Sequence, residues 1–235
     1  MPEDTRLPPE AALAEAEARI AAWQPGQPLD LAIRGLQEVP TSLAGLTDLA
    51  ELHFSRRVQS ESGFESVVAA HVADLGPLTG LAALETLDLD RSQVADLRPL
   101  AGLPALKALR LADTPVRALA GLEGLAALET LVLDDTQVAD LGPLAGLASL
   151  ESLDLEGTQV ADLAPLAGLA GLRRLSAGFT QLADLTPLAG LKGLQSLFVV
   201  YTGVTDLVPL AGLKGLQSLF VNHTRVADLG PLDGL

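Results

Sequence analysis

Leucine stands at Leu81, Leu103, Leu125, Leu147, Leu169, Leu191, Leu213 and Leu235, each 22 residues from the last. No slippage interrupts the series, so the chain between them consists of seven in-phase units. The shared frame is L-x-x-L-x-x-L-x-L-x-x-T-x-V-x-D-L-x-P-L-A-G. A period this short and regular excludes an ordinary globular core. One unit cannot bury its own leucines, and only stacking against its neighbours can.

The frame also dictates local structure. Positions six to ten, such as Thr86–Asp90 ("TLDLD"), alternate polar and apolar residues, which is the period of a strand with one buried face. Leu87 and Leu89 are expected to point inward, and Thr86, Asp88 and Asp90 outward. The D-L-x-P-L that follows, as in Asp140–Leu144, suits a short capped helical turn. The sequence 114–124 ("TPVRALAGLEG") lacks both the Asp and the Pro.

These residues closely resemble the leucine-rich repeat, specifically the 22-residue bacterial type found in internalins, over about residues 29–235. The resemblance implies an α/β solenoid, with a parallel β-sheet on its concave face and short helical turns on its convex face. Position twelve, where the family usually carries Asn, holds Ser92, Thr114, Thr136, Thr158, Thr180, Thr202 and Thr224. These hydroxyls are expected to bond backbone where the chain leaves the strand. Asp74, Asp96, Asp140, Asp162, Asp184, Asp206 and Asp228, at position sixteen, read as caps rather than calcium ligands.

The ends depart from the frame. Residues 9–23 place Ala, Leu, Ile and Trp at helical spacing, so residues 1–28 read as a capping helix and lead-in to a solenoid over 29–235. Residues 29–46 form a degenerate first repeat. Leu235 is the first position of a further unit, so the protein is expected to continue beyond it with more repeats, a cap or a further domain. An insertion at 55–71 ("SRRVQSESGFESVVAAH") leaves the frame just after a strand. It reads either as a solvated loop or as a binding loop with Phe64 at its tip and Arg56 and Arg57 at its base.

Composition narrows the function. Thirty acidic against fifteen basic residues give a formal charge of −15, which repels phosphate backbones and argues against nucleic acid as a partner. No uninterrupted apolar stretch approaches the roughly 18 residues of a membrane span. The opening "MPEDTRLPPE" does not read as a secretory leader, and the chain contains no Cys, so a cytoplasmic location is expected. An adhesin displayed outside the cell, as internalins are, would need an export signal. His53, His71 and His223 belong to no catalytic motif, so neither an enzyme nor a cofactor is expected.

The concave strand face remains. Equivalent residues of adjacent units should lie about 4.8 Å apart, so each outward position forms a column. The early units carry an acidic stretch, Asp88, Asp90, Asp134, Asp135, Asp154 and Glu156, readable as a solvated face or as a contact for a basic segment. The last three units replace it with Phe179, Phe198, Val200, Tyr201, Phe220, Asn222 and His223. At this spacing the rings are expected to stack or tilt against each other. A recognition module for a protein or peptide follows, with these residues as its site. Two rivals stay open. The chain is the sensor or scaffold region of a larger bacterial signalling protein of NTPase, Roco or TIR type, with a partner domain in the same chain. Or the apolar patch drives homotypic assembly.

Overall fold

A computed structural model describes residues 6–59 and 65–235 of the chain. Phe64, the expected tip of the insertion, lies outside the described residues. The chain opens with helix α1 (Pro9–Ala22), which buries Ala12, Ala16 and Ile20 at a spacing of four. That spacing places all three on one face, and the face packs on the first units of the array. Trp23 ends the helix, donating its indole N–H to the Gln27 carbonyl at 2.8 Å.

Each following unit contributes one very short strand. Strands β1 (Leu29–Asp30) and β2 (Glu51–His53) precede a hairpin of β3 (Ser55–Gln59) and β4 (Glu65–Ala69). The regular units then supply β5 (Thr86–Asp88), β6 (Ala108–Arg110), β7 (Thr130–Val132) and β8 (Ser152–Asp154). They continue as β9 (Arg174–Ser176), β10 (Ser196–Phe198) and β11 (Ser218–Phe220). All but the hairpin form one parallel sheet in the order β1-β2-β5-β6-β7-β8-β9-β10-β11. The register is the sequence period itself: Leu87 pairs with Leu109, Leu109 with Leu131, and Leu131 with Leu153.

The strands proper are shorter than the five alternating positions suggest, spanning positions six to eight only. Ladder bonding nevertheless continues, because Leu89 N–H donates to the Arg110 carbonyl at 2.9 Å and Arg91 N–H to Ala112 at 2.7 Å. Left-handed backbone at position eleven then ends the extended run. Arg91, Asp113, Asp135, Gly157, Phe179, Tyr201 and His223 all have φ between 54° and 70°.

The expected roles of Thr and Asp are realised bond by bond. Thr114, Thr136, Thr158, Thr180, Thr202 and Thr224 each donate the hydroxyl to the carbonyl three residues back, at 2.6–2.7 Å. Ser92 instead accepts from Val94 N–H at 3.4 Å. Every position-sixteen Asp accepts from the backbone N–H two residues ahead at 2.7–3.0 Å. That donor is the first residue of a 3-10 turn, such as Gly142–Leu144, with Pro as its second residue. The turn therefore starts with a satisfied N–H and needs no second one from Pro.

The unit lacking Asp and Pro has no 3-10 turn at the equivalent place. Its chain bends instead at Gly121, with φ of 107°. A Cβ there would meet the Leu97 carbonyl oxygen at 2.5 Å and Arg98 Cα at 2.7 Å. Only glycine satisfies both the dihedral and the approach. Gly121→Ala is expected to lower the urea-unfolding free energy by about 2 kcal/mol or more. Gly124→Ala, where a Cβ meets nothing within 4 Å, should leave it nearly unchanged.

The core is a column of leucines. Leu87, Leu109, Leu131, Leu153, Leu175 and Leu197 are all at most 1% exposed. In the last unit the corresponding side chains Leu216, Leu219, Val221 and Val226 are only partly buried, and Leu229 is 59% exposed.

Candidate functional site

The parallel sheet brings equivalent side chains of successive units side by side, and in the last three units these are rings. Phe198 pairs in register with Phe220, and their rings stack at 4.5 Å with 5° between planes. On the other side of Phe198, the Arg174 guanidinium lies 4.5 Å from the ring centroid, a cation–π contact. A second column runs along position eleven. Phe179 stacks on Tyr201 at 4.5 Å, and Tyr201 on His223 at 4.1 Å. Both separations follow from the inter-strand spacing of about 4.8 Å, so sheet geometry sets the stack.

Burial grades across the patch. Phe179 is 52% exposed, Tyr201 48% and Phe220 43%, and Asn222 and His223 are also exposed. Phe198 and Val200 are half-buried, recessed between their neighbours. Gly178 makes room for this arrangement, since a Cβ there would lie 2.8 Å from Val200 Cγ2. The aromatic members of position eleven stand on unfavourable backbone. A left-handed conformation costs a Cβ-bearing residue roughly 1–2 kcal/mol, less for Asp, which bonds locally. Gly157 occupies the same place without that cost. Phe179 and Tyr201 therefore hold a strained conformation while leaving half of a large apolar ring in solvent.

The acidic half is organised around Arg110. Its Nη2 donates to Asp90 Oδ2 at 2.7 Å and its Nε to the same oxygen at 3.0 Å. Asp90 Oδ1 accepts from Ala112 N–H at 2.8 Å, and Arg110 Nε stands 3.8 Å from Asp88 Oδ2. Asp90 is only 8% exposed and fully engaged. This departs from the expectation that it contacts a partner: the Arg110 side chain covers the carboxylate, which serves as a strut between units. Asp88 and Asp154 are half-exposed, whereas Asp135 and Glu156 are open to solvent.

Burial raises the Asp88 carboxyl above its ordinary range, with Asp90 adding to the effect. Asp134 is pushed up to about 6 by burial, then by the charges of Asp154 and Asp90. A raised folded-state value means the folded chain holds a proton that the unfolded chain has already lost. Stability contributed by this group is therefore present at about pH 4 and falls as pH rises to about 6. Asp134→Asn should remove that slope and stabilise the fold at pH 7 by on the order of 1 kcal/mol, discounted for solvent screening. Urea titrations at pH 4.5 and 7.5 measure it.

On either side of residues 60–64 the insertion is a paired ribbon. It folds as the antiparallel hairpin β3–β4, with Arg57 opposite Val67. Arg56 bonds Asp30 at 2.9 Å, tying the hairpin to the first strand. Arg57 lines a cavity of about 260 Å³ with Asp88, Asp90, Arg110 and Asp134, so the hairpin walls the early end of the strand face. The β-branched pair Val67 and Val68, set apart from Ser55–Gln59 by a Ser- and Gly-containing stretch, is the signal that could have revealed a hairpin.

The three histidines are used separately. His53 approaches Glu51 at 3.9 Å, His223 stacks on Tyr201, and His71 donates its backbone N–H to the Leu36 carbonyl. Among the described residues, no group of three or more His, Asp or Glu could hold a metal ion. No helix there is long and apolar enough to cross a membrane.

A parallel sheet of one short strand per 22-residue unit, with 3-10 returns and a leucine column between, is the architecture of a leucine-rich repeat solenoid. The family described as Leucine Rich repeats (2 copies) matches residues 126–168. Among solved structures, the chain is similar to internalin C2 of Listeria monocytogenes, with a TM-score of 0.73 and 28% identity over 99% of this chain and 95% of that one. Internalin F of the same organism gives 0.77 and 24%, over 99% of this chain and 76% of that one. The plant peptide hormone receptor RGFR1, solved in complex with RGF2, shares the fold at a TM-score of 0.63 and 15% identity. There the match covers 80% of this chain and 30% of that chain. No curated protein matches the sequence.

Proposed function

We propose that the chain is a non-enzymatic recognition module whose strand face binds an extended segment of a partner protein. The observation that carries this reading is the aromatic patch. Phe179 and Tyr201 stay half-exposed on left-handed backbone, a cost that folding alone does not require. Contiguous exposed rings of this kind mark interaction sites and supply most of the energy at protein interfaces.

The neighbouring charges specify the partner further. Asp135, Asp154 and Glu156 border the patch on the side of the early units. A segment carrying aromatic or aliphatic side chains next to Lys or Arg complements both halves, and the −15 net charge steers it in. The complex of the plant receptor named above shows that this fold can take a peptide hormone.

The experiment is a selection from a random peptide display library, with counter-selection against a variant lacking the rings. Enriched peptides should combine apolar and basic residues and should compete with one another for one site. Peptides that bind both forms equally, or enrichment of acidic sequences, would sink the reading.

A further inference from the structure

We propose a second binding site, for a compact oxyanion such as a phosphate or carboxylate group carried on a small apolar substituent. It lies where the N-terminal segment meets the hairpin. A cavity of about 280 Å³ is lined there by Arg6, Arg34 and Arg91, by His71, and by Val67 and Ala69 of β4.

The backbone builds this cluster. Leu7 N–H donates to the Arg34 carbonyl at 3.1 Å, which draws the N-terminal segment against the first repeat. The approach is close enough that a Cβ on residue 35 would overlap the Leu7 carbonyl, and residue 35 is glycine with φ of 100°. Arg6 and Arg34 are thereby held at one cavity.

The charges are unusual for this chain. Its acidic residues outnumber the basic ones two to one, and at least six of the twelve arginines pair with a carboxylate: Arg19, Arg56, Arg91, Arg98, Arg110 and Arg173. Arg6 and Arg34 make no ion pair among the described residues, although they share a cavity. Arg91 is half-committed, through Nε to Asp113 at 3.0 Å. His71 Nδ1 is the single buried side-chain nitrogen or oxygen without a hydrogen-bond partner among the described residues. Guanidinium forks match carboxylate and phosphate oxygens in geometry as well as charge. Val67 and Ala69 give the remaining wall an apolar surface. The volume is near the lower end of the range for small-ligand sites, about 300 Å³.

The test is isothermal titration of the full chain at low salt with phenyl phosphate, benzoate, inorganic phosphate and the neutral benzyl alcohol. Phenyl phosphate should bind one site, more tightly than inorganic phosphate, and benzyl alcohol should give no heat. Arg34→Gln and Arg6→Gln should each weaken it by about tenfold, the loss of one charge-assisted contact. Arg117→Gln, an exposed arginine away from the cavity, should leave affinity unchanged and controls for net charge. If Arg34→Gln lowers the melting temperature, the exposed Arg6→Gln decides. The comparison of phenyl phosphate with benzoate assigns the natural oxyanion. Absence of binding by either, or equal affinity in the Arg6 and Arg117 variants, overturns the proposal. The site does not depend on the aromatic face, so either reading can fail without the other.

Discussion

The double variant Phe198→Ala, Tyr201→Ala should bind a selected partner peptide at least about 100-fold more weakly than the wild type, a loss of about 2.8 kcal/mol. The two residues are the middle members of their columns. Phe198 contacts both Arg174 and Phe220, and Tyr201 contacts both Phe179 and His223. Their removal breaks every ring contact in the patch while leaving the buried Val199 and the leucine column in place. Three stacked pairs are lost, each contributing about 0.5–1.5 kcal/mol beyond area burial, so stability should fall by about 2–4 kcal/mol. Val208→Ser on the opposite, turn-bearing face serves as control, because Val208 is 62% exposed and outside the patch. Titration calorimetry with unchanged affinity in the double variant would remove the rings from the site.

The second large effect concerns the core. Leu153→Ala deletes a side chain 1% exposed, stacked between Leu131 and Leu175 in adjacent strands. Closely packed neighbours on both sides cannot collapse into the void, so a loss of about 3–5 kcal/mol in urea unfolding is expected. Leu219→Ala, in the last unit, removes a side chain with a neighbour strand on one side only and already partly in solvent. Its cost should be about 1 kcal/mol. In a linear array each unit depends on its nearest neighbours, and the difference between these two leucines measures that dependence directly. Equal losses would mean that the last unit is supported as fully as the central ones.

Much of this was legible in the residues. The 22-residue period specified the register, because parallel pairing places Leu87 beside Leu109 and each later leucine beside its equivalent. The Asp caps and Thr hydroxyl bonds are local, reaching two or three residues, so residue identity and spacing sufficed to anticipate them. The ring stacks followed from the same period and the inter-strand distance. Departures from the frame translated into departures from the structure: the unit without Asp and Pro lost its 3-10 turn and gained the bend at Gly121.

Features that depend on how columns face one another were not legible. Alternation labelled Asp90 as outward, yet it is buried, because the Arg110 fork of the next unit covers it. The insertion has no repeat to report on it, so the pairing of Ser55–Gln59 with Glu65–Ala69 has no counterpart in the period.

The sequence by itself therefore determined the solenoid, its register and the side of the strands on which the aromatic residues stand. Those are consequences of a period and of bonds within three residues. Only the tertiary structure decided which outward residues are reachable, that the hairpin walls one end of the face, and that Arg6, Arg34 and Arg91 surround one cavity. Those three arginines come from segments with no shared period, brought together by the close approach of Leu7 to Gly35 and by the hairpin. No spacing along the chain encodes that meeting.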